Sequence, residues 1–151
     1  MAKSIECPDN TEFTFRDHFI LSKDEKQVIS YVGNINDKSV TIPDGITSIG
    51  DYAFLGSELT NVTIPNSVTS IGVSAFVNNQ LTEVTIPNSV RRIEERAFSY
   101  NLITRISIGA NVELGEYAFN VIYGNDFISQ YNSSFGKAAG TYVLGYRWQR
   151  Q

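Results

Sequence analysis

Residues 62–68 read VTIPNSV, and residues 84–90 spell the same seven letters 22 positions later. A catalytic site needs one copy of each reacting group in one place, so verbatim repetition marks a part that is stacked. Working outward from these copies gives four units: SVTIPDGITSIGDYAF from Ser39, NVTIPNSVTSIGVSAF from Asn61, EVTIPNSVRRIEERAF from Glu83 and RISIGANVELGEYAF from Arg105. Val40, Val62, Val84 and Ile106 are each 22 apart, as are Ile42, Ile64, Ile86 and Ile108, and then Ile46, Val68, Val90 and Val112. Further ladders run through Ile49, Ile71, Ile93 and Leu114, through four Ala-Phe pairs ending at Phe54, Phe76, Phe98 and Phe119, and through Leu59, Leu81 and Ile103. A period of 22 lies in the range of solenoid repeats.

Within each unit VTI alternates apolar, polar, apolar, and β-branched residues favour a pleated, half-buried surface, so the triplet is a short strand with threonine outward. Pro43, Pro65 and Pro87 lack an N–H and end it, and the Asp-Gly or Asn-Ser that follows turns the chain. A second extended stretch such as SVTSIG carries Val68 and Ile71 inward. Alanine beside phenylalanine leaves room for a ring. Coils stacked in parallel place like residues over like at about 4.8 Å, and the end coils need caps.

A chain of 151 residues with 42% hydrophobic residues fits one domain with a sizeable core. The net charge of −4 gives no general attraction to nucleic acid or anionic membrane, which call for clustered Lys and Arg. No apolar run approaches the roughly 20 residues that cross a bilayer. Cys7 is the single cysteine and cannot form an internal disulfide.

The strings VTIPNSVTSIG, AF and NNQLTEVTIPNSV resemble the BspA-like leucine-rich-repeat family over roughly residues 39 to 120. FISQYNSSFGKAAGTYVLGYRW resembles a terminal segment of some members. The resemblance implies a mainly β fold, a short right-handed leucine-rich-repeat solenoid of about four coils with a parallel strand ladder and capping segments at both ends. It also implies a bacterial, extracellular or cell-surface, adhesin-like protein that binds a protein partner, among them host extracellular proteins, and no catalysis. MAKSIE is too short and too polar for a signal segment, so secretion calls for one on the full-length gene product. The organisation expected is an N-terminal cap hairpin over 1–38, the solenoid over 39–123 and a C-terminal cap of short helix and strand over 124–151, in one folded unit. In the fourth unit Gly109 replaces proline and Leu114 follows Ile93 by 21 residues, which suggests that the array ends there.

Chemistry finds little support. His18 is the single histidine and has no Cys, His or carboxylate at metal-ligand spacing, so no metal site is expected. No GxSxG elbow accompanies it, and Gly136-Lys137 lacks the rest of a phosphate-binding loop, so neither an enzyme nor a cofactor is expected. What remains is surface. Stacking aligns Thr41, Thr63, Thr85 and Ser107 into one outward stripe and Ser39, Asn61, Glu83 and Arg105 into another. Arg91 and Arg92 replace Thr-Ser of the earlier units, ahead of Arg96 and Arg105, after a stretch from 39 to 90 without Lys or Arg. The expected partner-binding residues are Thr41, Asn61, Thr63, Glu83, Thr85, Arg91, Arg92, Arg105 and Ser107. Four short strands present only about 200 Å², whereas a standard interface buries about 800 Å² per partner, so turns or caps must contribute. Tyr131, Phe135, Tyr142, Tyr146 and Trp148 are candidate anchors or covers for the last coil. Alternatives from other classes are a structural, self-associating repeat module and a carrier of a small apolar ligand at the cap.

Overall fold

The structure is a computed structural model that describes residues 12–34, 36–119, 127–133, 135–144 and 148–151. Cys7 and Tyr146 lie outside the described residues. Each repeat contributes one three- or four-residue strand and one two-residue strand. The longer are β4 (Ser39–Thr41), β6 (Asn61–Thr63), β8 (Glu83–Thr85) and β10 (Arg105–Ile108); the shorter are β5 (Ser48–Ile49), β7 (Ser70–Ile71), β9 (Arg92–Ile93) and β11 (Glu113–Leu114). The molecule is a mainly β solenoid of four coils with parallel strand ladders.

The short strands form the continuous ladder. β5, β7, β9 and β11 pair in parallel, Ser48 beside Ser70 beside Arg92 beside Glu113. The residue missing from the fourth unit is absorbed between Val112 and Leu114, so Leu114 still sits against Ile93. An antiparallel meander of β1 (Phe13–Arg16), β2 (Phe19–Ser22) and β3 (Gln27–Tyr31) extends this sheet to seven strands, with β3 parallel to β5. β3 therefore replaces a coil rather than lying across its end.

The expected four-strand ladder of VTI strands is interrupted. β4 pairs with β6 and β8 with β10, both in the register the 22-residue period requires, but β6 and β8 belong to separate sheets. The coils at this junction are held elsewhere: β7 pairs with β9, and the Phe76 and Phe98 rings stack at 5.0 Å. Two cap strands, β12 (Gly140–Leu144) and β13 (Trp148–Arg150), then join the second pair antiparallel, giving a four-stranded sheet in the order β13-β12-β10-β8.

The core is a stack of rings. Phe54, Phe76, Phe98 and Phe119 are buried, with centroids 4.7, 5.0 and 5.0 Å apart and planes within 12° of parallel. The backbone closes a third ladder beside them, in which the N–H groups of Phe54, Phe76 and Phe98 donate to the carbonyls of Ala75, Ala97 and Ala118 at 2.7–2.8 Å. Entering this turn puts Tyr52, Ser74, Arg96 and Tyr117 at φ of 53–57°, left-handed backbone that costs non-glycine residues about 1–2 kcal/mol each. The same strain at the same place in four coils shows that ring stacking and the turn's hydrogen bonds outweigh it. Tyr31 stacks on Phe54 at 5.3 Å at one end. At the other, Phe127 of helix α1 (Phe127–Ser133) meets Phe119 edge-on at 5.4 Å.

Tyr131, Tyr142 and Trp148 are buried around Phe127, so they cover the last coil and are not surface anchors. The Tyr131 hydroxyl donates to the Gly109 carbonyl at 2.7 Å. Burial pushes its phenol up, opposed by the Val112 N–H that donates to it; burial also raises Tyr142, opposed by Arg150.

Phe76→Ala opens a hole in the middle of the ring stack, and chemical denaturation is expected to show a loss of about 3–5 kcal/mol; a loss below about 1 kcal/mol contradicts the stacked core. The raised phenols set a pH limit. Their contribution is complete below the ordinary phenol value of about 10 and is lost as pH rises through the folded-state values. The urea midpoint should therefore hold to about pH 9 and fall above about pH 10, less steeply in Tyr131→Phe. A midpoint that rises across that range contradicts this assignment.

Candidate functional site

Inward positions are consumed by stacking, so whatever this chain recognises must be read by outward ones. On the sheet β13-β12-β10-β8 the inward row is Val84, Ile106 and Tyr142, all buried, and Trp148, opposite Leu144 on β12, is buried on the same side. The outward residues form two rows across the strands. One runs Glu83, Arg105, Val143, Gln149, and the other Thr85, Ser107, Thr141. The cap thus continues the repeat face with side chains of its own.

In the first row Arg105 Nε lies 4.0 Å from Glu83 Oε2, with both side chains about half exposed or more. An exposed pair of this kind contributes only about 0–1 kcal/mol, so it orients charge without holding the fold. In the second row the Ser107 and Thr141 hydroxyls are 2.9 Å apart and share a hydrogen bond. Beside that row is an open groove of about 350 Å³, between the Asn66 and Asn88 turns and the Ala139–Thr141 segment.

The nine residues expected from sequence are divided among elements. Glu83, Thr85, Arg105 and Ser107 share the four-stranded sheet, and Thr41, Asn61 and Thr63 lie on the β4–β6 pair, whose β6 is the neighbour of β8 without sharing its ladder. Arg91 sits in the turn leaving β8, where its guanidinium donates to the Asn88 carbonyl at 2.5 Å. Arg92 is not on this face at all: it belongs to β9 of the seven-stranded sheet and pairs with Glu94 at 2.6 Å. Arg96 pairs with Glu95 and lies 5.4 Å over the Tyr117 ring. The arginine-rich stretch is thus distributed over several faces and largely neutralised.

Three features escape the sequence reading. Asn79 and Asn101 are buried polar residues that bolt coil to coil. The Asn101 carboxamide donates to the Phe76 and Phe98 carbonyls at 2.9 and 3.0 Å, and its oxygen accepts the Leu81 N–H at 3.0 Å. Asn79 repeats the arrangement one coil earlier, on Phe54, Phe76 and Leu59. Their signal was recurrence at 22 residues, three positions after Phe76 and Phe98. Thr47, Thr60, Thr69 and Thr104 hydroxyls likewise donate to carbonyls of the preceding coil or cap. Third, the exposed large side chains Tyr52, Leu55, Tyr100 and Tyr117 lie in or next to the Ala-Phe turns, and Leu102 is exposed in the segment before β10.

Among the described residues no group of three His, Cys, Asp or Glu is placed to hold a metal, and no helix is long and apolar enough to cross a membrane. His18 is exposed in the β1–β2 turn, and the Lys137 carbonyl accepts the Asn111 N–H.

Against protein-family models, residues 30–135 match the BspA type leucine rich repeat region in six copies. The chain belongs to the BspA-type leucine-rich-repeat family. The matched span begins in β3 and ends just beyond α1, so the family pattern reaches further on both sides than residues 39–123. Among solved structures, this BspA-type chain is similar to the pneumococcal vaccine antigen PcpA, with a TM-score of 0.59 and 24% identity over 71% of this chain. It spans 35% of the antigen's chain, and the likeness is one of fold. A leucine rich cell surface protein of Faecalibacterium prausnitzii also matches, at TM-score 0.39 and 22% identity over 76% of this chain and 53% of that one. No curated protein matches the chain.

Proposed function

We propose that this BspA-type chain is a bacterial surface or secreted recognition module, adhesin-like and without catalysis, that binds a protein partner through the outer face of β8, β10, β12 and β13 and the turns beside it. The observation that carries this reading is the division of labour within the repeat. VTIPNSV is invariant between two coils because its Val, Ile and Pro are packing residues, while variation falls on outward positions such as Asn61 against Glu83. Family membership supports a repeat module, and the fold it shares with a vaccine antigen is consistent with display at a surface.

Size decides how the face is used. Four short strands still offer only about 200 Å² against the roughly 800 Å² of a standard interface. The Asn66 and Asn88 turns and Arg91 flank the face and supply further contact area. Glu83 and Arg105, paired across its centre, give it direction, since charges at an interface fix register and discriminate among partners.

Capture from host extracellular proteins with the folded chain supplies the partner. Its affinity is then expected to fall about tenfold in Glu83→Arg and in Arg105→Glu, with the double exchange regaining part of the loss. Unchanged affinity in both single variants, with unfolding curves intact, rejects this location.

A further inference from the structure

We propose that the groove beside the second outward row is a binding site for a neutral saccharide of one or two rings. The groove, of about 350 Å³, lies where the repeat changes. In the fourth coil Gly109 and Ala110 stand where the third has Pro87 and Asn88. A side chain begun on Gly109 would come within 3.2 Å of Asn88 Oδ1, and β12 enters alongside through Ala139 and Gly140.

The lining chemistry selects the ligand class. Thr85, Ser107 and Thr141 present hydroxyls in a row across three strands, and Asn66 and Asn88 add carboxamides from two successive turns. Each of these groups both donates and accepts, and none carries charge. The Ser107–Thr141 bond at 2.9 Å fixes two hydroxyls relative to each other while leaving each a free lone pair. No charged side chain among the described residues lines the groove, and the nearby Arg91 guanidinium is held on the Asn88 carbonyl. Glu83 and Arg105 engage each other, and Arg150 packs on the opposite side of β12, where it donates to the Ala139 carbonyl at 2.7 Å. A phosphate, carboxylate or cation thus meets no opposite charge in the lining, whereas a ring of neutral hydroxyls meets matching donors and acceptors. The volume sits at the low end for small-ligand sites, enough for one or two sugar rings. This site goes beyond the protein-recognition reading and stands without it.

Saturation-transfer NMR on the full chain with glucose, galactose, mannose, N-acetylglucosamine, lactose and maltose at millimolar concentration tests it, beside Asn88→Ala and the nearly isosteric Thr141→Val. At least one of these sugars should receive saturation from the wild-type chain. Its affinity should fall about tenfold or more in each variant, with far-UV dichroism and unfolding midpoint unchanged, and sialic acid and glucose 6-phosphate should receive none. Absence of transfer to every neutral sugar overturns the proposal, as does equal affinity in both variants or preference for the charged sugars. Loss of a captured protein partner in Asn88→Ala, with no sugar bound, reassigns the groove to a protein contact.

Discussion

Four phenylalanine rings spaced 4.7–5.0 Å apart, nearly parallel and fully buried, are the constraint on which the rest of the structure depends. That spacing is also the distance between hydrogen-bonded strands, about 4.8 Å, so one translation satisfies rings and backbone together. Each coil must then return its chain to the same point after 22 residues. It does so by accepting left-handed backbone at Tyr52, Ser74, Arg96 and Tyr117 and by placing alanine beside each ring. A stack of this kind has two raw ends. Tyr31 continues it at one, and Phe127 turns edge-on to stop it at the other.

The polar bolts follow from the same translation. A coil that stacks on rings alone buries carbonyls of the Ala-Phe turn, and an unpaired buried carbonyl is costly. Asn101 meets that need with a single carboxamide touching three backbone groups from two coils. With rings, short-strand ladder and asparagine bolt all in place, the junction between the second and third coils tolerates the missing pairing of β6 with β8. Function then falls to what the translation leaves over: outward side chains, the turns, and the places where the repeat is broken.

The ladders were legible in the sequence because packing forces identical residues to recur at one period, and recurrence is visible without coordinates. Replacement of a coil by β3 was not, since FTF, FIL and VISYV show only that strands exist and not which neighbour they take. Nor was the interruption between β6 and β8, as NVTIP and EVTIP differ at one outward residue and carry no signal of separation. Arg91 and Arg92 illustrate a finer limit. They are adjacent in the chain, yet the coil turns a corner between them, and one faces the Asn88 turn while the other joins the seven-stranded sheet. The groove was the least legible element, because it depends on β12 returning antiparallel beside β10, a contact across 34 residues between Ser107 and Thr141 that no local pattern announces.

The central claim is that the 22-residue unit is a unit of stacking, so that any coil can rest on any other. Deleting residues 62–83 joins Asn61 to Val84 and places Phe98 on Phe54, with Asn101 in the position Asn79 held. Denaturant unfolding of that variant, followed by far-UV dichroism and aromatic fluorescence, should show one cooperative transition with a lower midpoint and a smaller dependence on denaturant, in proportion to the surface removed. A chain that fails to fold after this deletion, or that folds equally well when only half a unit is removed, contradicts the account.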